Sequence, residues 1–229
     1  MSEVTSALLA GAIALSLVLH LAWLARSSRN KASVALAVEQ ANIRTVIADA
    51  ADVSDGTAGV ITCEGSWNGR RVQVRTIVDT LATRKLPARW LSVSITEKVA
   101  VPATFDMMMR PGSPTTFSNF DHLDHTLPKS SALPTEAVVR TDRKGVRFPQ
   151  EIIADHLGIF SEGRAKELLI TPNGVRIVWL LAEAERARYG VFRQAQFGDA
   201  TLDPMLIERL LESASTLRDA INRNERQAA

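Results

Sequence analysis

The chain has 229 residues, of which 46% are hydrophobic and 23% charged, with a formal net charge of +2 and a single cysteine, Cys63. That balance excludes a disordered tail, an internal disulfide framework and a cysteine-rich zinc site. The positive excess is too mild to imply a nucleic-acid partner.

From Ala7 to Ala25 the sequence carries no charged residue, and Arg26, Arg29 and Lys31 follow directly. At about 1.5 Å per residue such a helix covers roughly 28 Å, close to the hydrocarbon thickness of a bilayer, which predicts one membrane-spanning helix. Lys and Arg resist translocation, so the rule of flanking charge puts the N-terminus outside and the rest in the cytoplasm, at a bacterial inner membrane. Trp23, Arg26, Arg29 and Lys31 are then the interfacial anchor. A cleaved signal peptide fits less well, because the head carries only Glu3, the run is long, and Trp23 sits where a small residue belongs. A buried helix of a globular core would show a polar stripe, and only Ser16 and His20 interrupt this run. The spacing of Ser6, Ala10 and Ala14 suits close helix approach and leaves self-association open. The expected organisation is a membrane anchor over 1–31, a juxtamembrane helix or linker over 32–56, and an α+β domain over 57–229.

Val34, Val38, Ile43, Val46 and Ile47 have a loose helical spacing among good helix formers. At Gly56 the character changes. Two β-rich runs flank Asn68-Gly69, and both residues accept the positive φ of a tight hairpin turn. Trp90 to Thr96 alternates apolar and polar residues, as a half-buried strand does, and Phe105 to Met109 predicts another strand, closed by Arg110-Pro111-Gly112-Ser113-Pro114. The polar, proline-bounded stretch from Thr115 to Pro134 reads as a long surface excursion. Ala137 to Val139 predicts a short strand, and Pro149 and Gly158 bracket a short helix. A second hairpin is centred on Asn173-Gly174, and 188–197 has no clear period. Asp203-Pro204 opens a last helix whose apolar stripe runs through Leu206, Ile207, Leu210, Leu211, Ala214, Leu217 and Ile221.

This order describes an α+β fold: an N-terminal transmembrane helix, a mainly antiparallel sheet with hairpins, and a C-terminal amphipathic helix. The span, the hairpin from Trp67 to Arg71, the Phe105-Asp106 pair and the closing hairpin with its helix together resemble a loose set of uncharacterised bacterial proteins. Those proteins have one N-terminal span and an α+β domain. The resemblance is one of layout and implies no activity, substrate or cofactor.

Among residues that could carry chemistry, nucleotide and common hydrolase signatures are absent. Three histidines outside the first helix each follow an aspartate: Asp121-His122, Asp124-His125 and Asp155-His156. His122 and His125 lie three residues apart, a spacing that could offer two imidazoles to a divalent metal with aspartate as a further ligand. That pattern supports a metal-assisted hydrolase as one alternative. A second is a basic cluster, Arg70, Arg71, Arg75, Arg84, Lys85 and Arg89, which could lie on an anionic lipid surface. Trp67 in the hairpin is either folded onto the sheet or an anchor for a partner, and Cys63 reads as a core residue. The leading expectation is a non-enzymatic, membrane-tethered scaffold or regulatory domain without a cofactor, acting by protein contact.

Overall fold

The computed structural model describes residues 2–228 apart from 54–59, 80–85, 113, 187–188, 191–194, 196 and 199–200; the side chains of 2–7, 9–10, 12–14, 24–25, 28–33 and 228 also lie outside the description. The chain divides into two compact units, Met1–Glu39 and Gln40–Ala229.

Helix α1 spans Ser2–Val46, 45 residues without a break. A bilayer sets the length of a spanning helix near 30 Å, whereas this one runs for about 68 Å at 1.5 Å per residue. The apolar run is a minor part of it, and the helix continues through Arg26, Arg29 and Lys31. Among the described residues no helix is long and apolar enough to cross a membrane. This corrects the expectation of a transmembrane helix. The single-pass placement, the outward N-terminus and the anchoring role of Trp23, Arg26, Arg29 and Lys31 rested on that helix and fall with it. The Trp23 ring instead stacks on His20, with centroids 6.0 Å apart.

The second unit is α+β. Its strands are β1 (Ala48–Asp52), β2 (Ile61–Trp67), β3 (Arg70–Asp79), β4 (Ala88–Ile95), β5 (Phe105–Met109), β6 (His125–Thr126), β7 (Ala137–Thr141), β8 (Ala165–Thr171) and β9 (Gly174–Glu183). Its helices among the described residues include α2 (Gln150–Asp155) and α3 (Pro204–Ala228). The strands form a single sheet in the order β1-β2-β3-β4-β9-β8-β5-β7-β6. Every pairing is antiparallel. The unit begins ahead of Thr57: Ile43 and Ile47, in and just after the last turns of α1, are buried, and β1 pairs with β2.

Local chemistry explains the turns. Asn68 and Gly69 have φ of 49° and 74°, the two positive values that the β2–β3 hairpin demands. The β8–β9 hairpin differs, since Thr171 pairs with Gly174 and the bend is Pro172-Asn173. Gly174 serves a close approach instead, because a Cβ there would lie 2.4 Å from the Ile95 carbonyl oxygen.

Alternation gives the sheet two unlike faces. On one, Leu91, Val93 and Ile95 of β4 and Val175, Ile177 and Trp179 of β9 meet the stripe Ile207, Leu210, Leu211, Ala214, Leu217 and Ile221 of α3, all buried. Each such side chain contributes on the order of 2 kcal/mol by leaving water. The far end of α3 is fixed by polar links: Arg70 bridges Asp219 at 2.7 Å and Glu97 at 3.2 Å, and Arg218 reaches Glu97 at 3.0 Å. Among the described residues, no long helix packs on the other face as α3 does on this one. There the segment 114–124 lies over the sheet as a strap. Phe117 and Phe120 are buried with Trp90, Met108, Ile77 and Val178, so this part of the expected surface excursion is a structural cover. β5 lies inside the sheet, and accordingly Met107, Met108 and Met109 are all buried.

Candidate functional site

The strap face carries two features that α3 does not touch: a buried set of charges beneath the strap, and an open cleft beside it. Asp106 on β5 lies opposite Arg140 on β7 and Leu169 on β8. Two pairs along, and so on the same face, Glu167 on β8 lies opposite Met108 on β5 and Val178 on β9. Both carboxyl groups are buried, with 2% and 0% of their residue surface exposed.

Glu167 is provided for. Arg176 bridges it at 2.7 Å, and the Ser118 hydroxyl donates to its second oxygen. Asp106 is not, and its Oδ1 is buried without a hydrogen-bond partner. Burial, and then the neighbouring Glu167 charge, push Asp106 up to about 8, against the pull of Arg176 and Arg140. Burial raises Glu167 too, while the Arg176 charge and the Ser118 hydrogen bond oppose it. The proton of the pair therefore belongs on Asp106, and Glu167 remains the carboxylate that answers Arg176.

This cluster fastens the strap. Ser118 Oγ, while donating to Glu167, accepts the Phe120 N–H at 3.0 Å. Arg140 donates to the carbonyls of Phe120 and Asp121 at 3.2 and 3.3 Å and lies 4.9 Å over the Phe120 ring. Phe117 then packs on Trp90, with centroids 5.0 Å apart. The perturbed groups thus hold a loop in place and are closed off from solvent.

The cleft beside the strap has a volume of about 380 Å³. Two irregularities flank it: β4 and β9 shift register between Arg89 and Trp90, and β8 bulges against β9 between Ala165 and Glu167. Bulges bend a strand and re-aim its side chains. The floor is Ala88, Trp90 and Leu180, with Leu86 beside them. Around the rim stand Arg110, Arg164 and Lys166 with Asp79 and Glu183, three cations and two acids. Arg110, at a φ of 46°, donates to the Gly163 carbonyl at 3.0 Å and pairs with Glu136. Lys166 donates to the carbonyls of Met109 and Arg110. Arg164 is exposed and has no side-chain partner among the described residues.

The residues singled out by sequence lie elsewhere. Asp121 and His122 end a short 3-10 turn within the strap and are exposed, Asp124 is exposed, and His125 begins β6. Asp155 and His156 close α2, where the His156 Nδ1 lies 2.8 Å from the Ile152 carbonyl oxygen. Among the described residues no group of three or more His, Cys, Asp or Glu is arranged to hold a metal ion. The basic cluster is divided. Arg70 faces α3 and is bound to Asp219, Arg71 and Arg75 alternate along β3, Arg75 donates to Thr62, and Arg89 lies on β4; Arg84 and Lys85 fall outside the described residues. The aperiodic 188–197 segment also falls largely outside them. Trp67 is half-buried. Cys63 is fully buried and its thiol donates to Asp52; burial first, then Asp52, push it up to about 12, which makes it inert as a nucleophile.

Sequence reading gave Asp106 no role beyond the layout of the Phe105-Asp106 pair, and passed over Glu167 and the strap. One signal was there: an acid between Phe105 and three methionines, and another before Leu168 to Ile170, where alternation of an internal strand has no cheap place for a charge.

No protein-family profile matches the chain. No curated protein matches it either. Among solved structures it is similar to the crystal structure of the mycobacterial trehalose monomycolate transport factor A, at 9% identity and a TM-score of 0.40, over 75% of this chain and 85% of that one. A likeness of that size carries nothing about function.

Proposed function

We propose that the chain is a non-enzymatic binding module whose recognition site is the cleft beside the strap, and that the cleft takes a small amphipathic molecule with an acidic head. The observation that carries this reading is the cleft's make-up: an apolar floor of Trp90, Leu180 and Ala88, with the unpaired Arg164 guanidinium at its mouth. Volumes of roughly 300 to 1,000 Å³ suit small ligands. Chemistry is not favoured, because no His, Cys or Ser is among the described lining residues, and the carboxyls with displaced proton affinity are sealed beneath the strap. The function is therefore recognition by contact.

The test uses 1-anilinonaphthalene-8-sulfonate, an anion with an apolar body, and decanoate as competitor. We expect saturable enhancement of dye emission, with quenching of Trp90 and displacement by decanoate. Arg164→Glu, an exposed change that leaves the fold intact, weakens binding several-fold, and Leu180→Arg abolishes it. Equal dye binding by the three proteins, with near-UV circular dichroism unchanged, would overturn the proposal.

A further inference from the structure

A second depression lies at the far edge of the sheet, where the loop from β7 to α2 folds beside β6. It has a volume of about 620 Å³ and is lined by Arg143, Lys144 and Arg147, with His125, Asp124 and Phe148 among its other walls. Counting the formally charged lining residues gives three cations against one acid, an excess of two positive charges with His125 neutral. All three cationic residues are exposed, and none makes an ion pair or donates a side-chain hydrogen bond among the described residues. Elsewhere in the unit Arg70, Arg140, Arg176, Arg209 and Arg218 are each within reach of a carboxylate, whereas here three cations without one are gathered on a single loop.

The loop is also held ready. Its one acid, Asp142, is bound at 2.9 Å by both the N–H and the hydroxyl of Thr104, so although it feels the Arg143 charge, it is committed to another strand's approach. At the other end Gln150 accepts the Ser130 N–H at 2.7 Å and donates to the Pro128 carbonyl at 2.9 Å. Phe148 packs on Phe105 at 5.3 Å. Gly145, at a φ of 77°, makes the turn between the fixed ends. Three like charges concentrated on so short a loop repel one another, and Asp142, held by Thr104, and Asp124 at the groove wall offset them only in part. An external anion would complete the balance.

We propose that this groove is a binding site for a phosphoryl group, carried by a soluble compound or by a lipid head. Two guanidinium forks and an ammonium suit a tetrahedral anion, and a phosphate monoester's charge of about −1.5 to −2 matches the excess better than a carboxylate's. The pinned ends spare the ligand the cost of ordering the loop. The proposal stands independently of the strap cleft.

The experiment follows amide resonances of the full chain on titration with inorganic phosphate, and sedimentation with phosphatidylcholine vesicles with and without phosphatidic acid. We expect saturable shifts centred on Gly145, weakened roughly tenfold or more in Arg143→Gln/Arg147→Gln. The control, Arg71→Gln/Arg223→Gln, removes the same charge from exposed positions elsewhere and leaves affinity unchanged. If phosphatidic acid also recruits the chain and the loop variant abolishes it, the phosphoryl source is a lipid head. Recruitment absent while phosphate still binds assigns a soluble source. No saturable shift at the loop, or equal weakening by the control pair, would overturn the proposal.

Discussion

The two faces of the sheet bury their apolar side chains by different means. Under α3 the contact is continuous: six apolar side chains of one 25-residue helix lie on two central strands. Under the strap, two phenylalanines do the covering and the rest is held by Ser118, Arg140 and a carboxyl pair. A helix stripe can leave only if the whole core opens. A strap fastened by a few polar contacts can lift alone. That difference puts the packing that resists opening under α3 and the cover that opens more easily on the other face.

The largest effect should come from breaking the helix face. Leu210→Ala, at a position with no exposed surface, is expected to lower unfolding free energy by about 3 to 5 kcal/mol in urea titrations, because neither helix nor strands can collapse into the void. A loss under about 1 kcal/mol would mean that α3 is a loose cover and the two faces are alike.

A smaller effect sharpens the strap side. Asp106 takes up its proton near pH 8 in the folded chain and near pH 4 in the unfolded one. The folded state thus binds the proton more tightly, so this contribution is full below about pH 4 and is lost as pH rises toward about 8, at no more than about 1.4 kcal/mol per pH unit. Asp106→Asn should flatten the profile in that window and be the more stable protein at its alkaline end, by a total on the order of 3 kcal/mol once the coupling to Glu167 is allowed for. A wild-type profile that is flat, or that rises, between those limits contradicts the assignment.

The helix face was the readable one. Its stripe in α3 repeats at helical spacing, and Asn68-Gly69 announces its hairpin, because both signals are local. The strap face was not. Phe117 and Phe120 sit in a polar stretch whose burial depends on Trp90 and Val178, residues distant in sequence, and no periodicity reports such a contact. β1 escaped notice for a related reason: Ala-Asp-Ala-Ala-Asp has neither β-branched residues nor alternation, and only pairing with β2 makes it a strand. In β4, Ser92 suggested a solvent side, yet it is buried between neighbouring strands. The apolar run near the N-terminus misled in the opposite way, since composition over a window does not say where a helix ends, and α1 continues to Val46. Of the candidate sites, the Asp-His pairs and the basic cluster were chosen by proximity in sequence, whereas the cleft gathers residues from β3, β4, β8, β9 and the strap.

Hydrogen exchange of the native chain at increasing urea bears most directly on the division between the faces. The amides of Phe120 and His122, bonded to Ser118 and Asn119, report the strap, and those of Leu210 to Leu217 report α3. The account predicts that the strap amides exchange through an opening several kcal/mol below global unfolding and nearly independent of urea, while the α3 amides track global unfolding. Exchange of both sets with one free energy and one urea dependence would contradict it.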